Sequence, residues 1–195
     1  MKIPVCKTEG IIIRRFNSGE FDKLLVVYTK EFGKILVKAK SLRKKTAKLR
    51  GSLELFNYVH LMLAKGKNID TVAGATIINC FPNVRGLLPA TAALYYISEL
   101  LDKMVVAPEK DAKIWNMVVK SFSFLEEKQD NETIIKKLIN RFEHNLVSYL
   151  GYLPALTNKA LQAGRPEKAH RDYIDFFQEL AGEKIESFAF LQLVL

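Results

Sequence analysis

At 195 residues, 49% of them hydrophobic, and with a formal net charge of +9, the chain can pack one large domain or two small ones, which excludes a disordered or disulfide-stapled class. The charge is uneven: residues 1–80 hold 16 Lys and Arg against 6 Asp and Glu, a net of +10, whereas residues 81–195 hold 14 against 15, a net of −1. A basic module over 1–80 and a near-neutral one over 81–195 are expected, with different partners.

In chain order, EGIIIRRF (9–16) and FDKLLVVYT (21–29) are β-branched or apolar runs separated by the turn signal Asn17-Ser18-Gly19, a hairpin pattern. KEFG (30–33) is a second turn, with Gly33 free to take a positive φ, and feeds a strand over 34–40. A long fourth strand is expected over 53–63, with Leu53, Leu55, Asn57, Val59, Leu61 and Leu63 on one face, and a fifth over 69–78. Five strands in about 75 residues with short turns fit an OB-type barrel, which binds oligonucleotides; an SH3-like barrel reads almost the same way.

After Phe81-Pro82 the apolar period lengthens to that of a helix. Helices are expected through Leu94–Val105, from Pro108 to Leu125, from the N-cap Asn131 to a stop at Gly151, and over 169–181. The fold class is therefore α+β multidomain, a five-stranded OB-type β-barrel followed by an α-helical bundle. The closing octet FAFLQLVL either docks into a groove of that bundle or lacks residues that would cover it.

The most concentrated feature is KILVKAKSLRKKTAKLR (34–50), in which Lys38, Lys40, Arg43, Lys44, Lys45, Lys48 and Arg50 stand together without an acid. Neighbouring cations repel, so such a run adds little to folding; a polyanion relieves the repulsion. In the preceding strand, Lys34, Lys38 and Lys40 alternate with apolar residues, so one face can be buried while the other carries charge. The connection over 41–52 is where a five-stranded barrel would hold an extra helix or a mobile arm. Lys38, Lys40, Arg43, Lys44, Lys45, Lys48 and Arg50 are assigned to phosphate contacts, with Arg14, Arg15, Lys23 and Lys34 as second-rank candidates whose other role is to keep a strand edge soluble. Phe16, Tyr28, Phe32, Phe56 and Tyr58 are the aromatics that could stack on bases, although most strand aromatics serve the core.

Nothing points to bond-making chemistry. His60, His144 and His170 have no ligand spacing, and no nucleophile elbow or Walker sequence occurs. Cys6 and Cys80 match no metal motif and suit a reducing compartment. MKIPVCKTEG lacks the apolar run of a secretory signal and no stretch reaches about 18 uninterrupted apolar residues, so the expectation is a cytoplasmic protein without a membrane partner.

GIIIRR, GEFDKLL and YTKEFGKILVKAKSLRKKTAKLRGSLELF together resemble the opening of the bacterial recombination-mediator RecO family, through its GE-x-D-x-L, T-x-x-x-G, A-K-x-x-R-K and L-R-G-x-L segments in order. RFEHNLVSYLGYLP is similar to the family's helical region. The resemblance implies binding of single- and double-stranded DNA and annealing of complementary strands without ATP. It further implies loading of the recombinase RecA onto DNA coated by single-strand-binding protein, with RecR as a partner, in recombinational repair.

Ser41 stands where the family usually has Gly, and Leu55 where it usually has Pro. Many members carry a zinc site near the place of Asn158–Pro166, but here Ala160 and Ala163 replace both thiolates, so the region around 155–170 is degenerate and no zinc or other cofactor is expected. The resemblance also implies a helical-domain pocket for the acidic, Phe-ended tail of single-strand-binding protein; Arg141 is the candidate cation, with Lys136 and Lys137 as exposed alternatives. The rival class is an RNA-binding or ribosome-associated assembly module on the same basic barrel.

Overall fold

A computed structural model describes residues 4–128, 131–152 and 166–195, with side-chain surroundings given from residue 170 onward in the last segment. These fall into two compact units, one of Met1–Phe81 with Val106–Trp115, the other of Pro82–Val105 with Asn116–Leu195.

The first unit is a five-stranded barrel of β1 (Val5–Ser18), β2 (Asp22–Thr29), β3 (Gly33–Ala39), β4 (Tyr58–Ala64) and β5 (Asp70–Asn79). The strand order β1-β2-β3-β5-β4 closes through an antiparallel β4–β1 ladder and a short parallel contact of Val37 with Asp70 and Lys38 with Thr71. Strict alternation fills it: Leu25 and Val27, Val37 and Ala39, and Val59, Leu61 and Leu63 share one apolar core with Ile12, Leu42 and Leu53. The OB-type barrel is thus the expected one, with two differences.

The fourth strand begins at Tyr58 rather than at residue 53, because residues 41–56 are spent on consecutive tight turns. Backbone hydrogen bonds run from Lys44 N–H to Ser41 C=O, Ala47 to Lys44, Arg50 to Ala47 and Leu53 to Leu49. Neither an extra helix nor a free arm occupies the 41–52 connection. Leu42 and Leu53 sink into the barrel core, with Leu49 and Leu55 packed against it, so charge and anchor alternate along the segment. Buried Asn57 closes it, donating its side-chain amide to the carbonyls of Gly51 and Ser52 at 2.8 and 3.1 Å.

The second difference is Val106–Trp115, which packs with the barrel. Trp115 is 5% exposed and meets the rings of Tyr28 and Tyr58 with centroids 6.2 and 5.8 Å away. A Cβ on Gly33, whose φ is +64°, would stand 1.9 Å from the carbonyl oxygen of Glu109, so glycine is required there both for its backbone angle and for the close approach. The helix expected from Pro108 starts at Ala112 instead, because the Asp111 carboxylate accepts the N–H groups of Lys113 and Ile114 and so defines the cap.

The second unit contains α1 (Pro82–Arg85), α2 (Leu88–Met104), most of α3 (Ala112–Lys128), α4 (Glu132–Tyr149), α5 (Pro166–Ala181) and α6 (Glu186–Val194). Helix α2 is buried nearly all round, as a central helix should be, and α4, α5 and α6 pack on it. Asn131 caps α4 as expected, accepting the Ile134 N–H at 3.0 Å, and Gly151 ends it with a φ of +83°. The apolar octet forms α6 and docks on α2; because its first amides lack a local cap, Glu99 of α2 reaches across to accept the N–H groups of Glu186 and Ser187 at 3.0 and 2.7 Å.

Candidate nucleic-acid interface

The basic surface is built by the strand ends of β1, β2 and β3 and by the turn segment that leaves β3. On β3, Val37 and Ala39 point into the core, which leaves Lys34, the 47% exposed Leu36 and Lys38 on the other face. Lys38 is paired with Asp22 at 2.9 Å, and Asp22 also accepts the Ser41 N–H at 2.7 Å. That backbone hydrogen bond, with Lys38 adding to it, holds the Asp22 carboxyl below its ordinary value. Asp22 thus ties the first turn of the basic segment to the start of β2.

Within the turns, Lys40, Arg43, Lys44, Lys45, Lys48 and Arg50 are all exposed. The β1–β2 hairpin braces Arg43 and Lys44: the Arg43 N–H donates to the Phe21 carbonyl at 2.9 Å, its guanidinium donates to the Gly19 carbonyl at 3.2 Å, and the Lys44 ammonium sits 5.0 Å above the Phe21 ring. Cations seven residues apart in sequence are therefore presented on one ordered surface.

Arg14 and Arg15 part company at a β-bulge. Ile12 pairs with Val27 and Arg14 with Val26, so the ladder slips one residue at Ile13, and Arg15 rather than Arg14 falls opposite the core residue Leu25. Directly opposed residues share a face, which makes Ile12, Arg15 and Asn17 the inner row of β1 against Val27, Leu25 and Lys23 of β2. Arg14 is exposed, with its guanidinium 4.6 Å above the Phe16 ring. The Arg15 side chain is 13% exposed and paired with Glu54.

Where the inner rows pass beyond the apolar core, they open into a polar recess of about 350 Å³ lined by Arg15, Asn17, Lys23, Arg43, Arg50 and Glu54. Burial first, then the positive charge of Arg15 with Arg43 and Arg50 behind it, pulls the Lys23 ammonium below its usual value.

Of the aromatics considered for stacking, Tyr28 and Phe56 are buried, and the Tyr58 hydroxyl donates to Glu9 at 2.5 Å while its ring meets Trp115. Phe16 is half-buried under Arg14, and Phe32 is exposed. Phe21, 41% exposed at the hairpin tip beneath Lys44, is an aromatic that pattern reading missed; its place two residues after Gly19 of the Asn-Ser-Gly turn was the signal.

In the helical unit a separate groove of about 470 Å³ is lined by Lys136, Lys137 and Arg171 around apolar Phe188, Leu191 and Leu195. Arg141 is exposed on α4 and is not among the residues lining it. His170 at the groove lies 2.7 and 2.9 Å from the two carboxylate oxygens of fully buried Glu143, which also accepts the Tyr96 hydroxyl. Burial drives the Glu143 carboxyl above its ordinary value despite these hydrogen bonds.

Among the described residues no His, Cys, Asp and Glu side chains group to hold a metal ion, and no helix is long and apolar enough to cross a membrane. The degenerate zinc segment lies almost wholly outside the described residues.

Two family models match the chain: Recombination protein O N terminal over residues 1–81, and Recombination protein O C terminal over residues 86–182. Curated relatives named DNA repair protein RecO include that of Dehalococcoides mccartyi, 38% identical over 152 residues, which cover 77% of this chain and 58% of the relative. Those of Roseiflexus and Halalkalibacterium halodurans are 32% and 26% identical, over 80% and 77% of this chain and 53% and 58% of theirs. The chain thus spans a little over half the length of these relatives.

Proposed function

The chain belongs to the RecO family of recombination proteins, and on that premise we propose that it is a DNA-binding, strand-annealing mediator of recombinational repair with no catalytic chemistry of its own. The observation that carries this reading is the ordered basic surface of the barrel, where Lys40, Arg43, Lys44, Lys45, Lys48 and Arg50 stand exposed on turns anchored from below by leucines. Lys and Arg neutralise phosphates and release counterions whatever the sequence, which suits a protein that must hold any single or double strand. A rigid array of cations also screens the mutual repulsion of two strands, so complements can approach and pair. Phe21 is positioned to stack on a base while Lys44 above it meets a phosphate.

Recruitment falls to the helical unit. The acidic, Phe-ended tail of single-strand-binding protein needs aliphatic walls and cations for its carboxylates, and the groove of Phe188, Leu191 and Leu195 flanked by Lys136, Lys137 and Arg171 offers both. Those three cations are the better assignment, in place of Arg141. In this account the protein acts in the cytoplasm with RecR to load the recombinase on coated single strands.

The triple variant R43E/K44E/K45E tests the surface. These residues are exposed and the segment is anchored by buried Leu42 before them and Leu53 after them, so the variant keeps the wild-type circular dichroism and a cooperative melt but loses single-stranded DNA binding by at least about 100-fold. Unchanged affinity in the folded variant would refute the assignment, and a marked preference of the wild type for structured RNA would select the assembly-module reading.

A further inference from the structure

The recess at the end of the barrel is electrostatically unbalanced. Arg15, Lys23, Arg43 and Arg50 bring four cations to it, and Glu54, the one carboxylate among its described lining residues, is engaged by Arg15. The Arg15 Nε–H is buried without a hydrogen-bond partner, although its guanidinium is otherwise held in place. A buried donor left unsatisfied costs about 1–3 kcal/mol, and fold stability alone gives no reason to keep one beside three further cations. The β-bulge at Ile13 is the device that turns Arg15 inward toward Lys23, so the arrangement is built into the backbone of β1 rather than left to mobile surface side chains.

Resting on the DNA-binding reading above, we infer that this recess binds the terminal phosphate monoester of a DNA strand and so distinguishes a phosphorylated end from the internal phosphodiesters gripped by the turn segment. A monoester brings up to two negative charges and three free oxygens, whereas an internal diester brings one charge and two. Four cations against one carboxylate leave a surplus that the dianion offsets better. Lys23 is suited to the site because burial and the neighbouring guanidiniums press on its charge, and that pressure is relieved when a dianion arrives.

The test uses the full chain and three fluorescent single-stranded oligonucleotides of one sequence, labelled internally, with a 5′-phosphate, a 3′-phosphate or hydroxyls at both ends. One of the phosphorylated forms binds about tenfold more tightly than the hydroxyl form, and the preference fades below about pH 6 as the monoester dianion takes up a proton and becomes a monoanion. In Arg50→Gln and Lys23→Gln the ratio collapses to about one, whereas Lys44→Gln weakens all three forms together and keeps the ratio. Equal wild-type affinity for all three overturns the monoester site and leaves the DNA-binding reading standing. Failure to bind any of them overturns that reading and the monoester site with it.

Discussion

Ser41 carries the basic segment away from β3 with a φ of +54°, in the left-handed region where a Cβ meets the following carbonyl and a residue other than glycine is strained by about 1 kcal/mol. Its backbone N–H, held by Asp22, keeps it there. Ser41→Gly removes the strain and leaves the hydrogen bond but adds freedom to the unfolded chain, so the two effects offset and the expected outcome is a melting temperature within about 2 °C of wild type by calorimetry with DNA affinity unchanged; a fall of more than about 4 °C would show that the serine is not strained. At this scale the sequence was partly legible. The cations themselves could be named, and their exposure on the turns follows from the leucine spacing. Which of Arg14 and Arg15 faces inward could not be read, because a one-residue bulge inverts strand parity and no residue type around Ile13 announces it. Lys23 looked like an edge cation for the same reason: its inward aspect depends on where the barrel ends, which is a property of pairing.

Among elements, α6 shows how a short apolar helix is fixed by its neighbour. Glu99 of α2 accepts three hydrogen bonds at the α6 N-terminus, two from backbone N–H groups and one from the Ser187 hydroxyl, and pairs with Lys103 at 3.0 Å. Burial works against the Glu99 charge, but the Ser187 and Glu186 hydrogen bonds and Lys103 outweigh it, and its pKa lies below the ordinary 4.5. A carboxyl with a depressed folded-state pKa contributes stability that is present above its unfolded value and is lost as pH falls through the folded one. Glu99→Gln therefore destabilises by about 1–2 kcal/mol in urea unfolding at neutral pH. The gap between variant and wild type closes below the ordinary value of 4.5 as the wild-type carboxylate is itself protonated. A gap that is constant with pH would mean that the contact is steric rather than charged. The five strands and the four longer helices were legible in order from periodicity, and so were the caps at Asn131 and Gly151; the helical form of the closing octet was not. The start of α3 at Ala112 and the turns of 41–56 were not, since they depend on the Asp111 cap and on Asn57 reaching back to two carbonyls.

On the scale of the whole molecule, the asymmetry of +10 in residues 1–80 against −1 in residues 81–195 sets a basic module apart from a near-neutral one. The barrel unit presents cations on a rigid platform, and the helical unit presents an apolar groove rimmed by Lys136, Lys137 and Arg171. The charge asymmetry was legible in composition; the groove was not, since Lys136 and Lys137 stood only as alternatives to Arg141, which does not line it, and Arg171 carried no signal. The inclusion of Val106–Trp115 in the barrel unit was not legible either, because a contact between Trp115 and two strand tyrosines more than 50 residues earlier leaves no local signature. The central claim is electrostatic, namely that the turn segment of the barrel holds DNA through phosphates and lets complementary strands pair. The most direct measurement is the affinity for single-stranded DNA across a salt series, followed in the same samples by the rate of annealing to the complement. With about six phosphates neutralised, the log–log slope is expected near −4, and annealing is accelerated. A flat salt response without annealing would contradict the account and leave the basic segment a solvated surface.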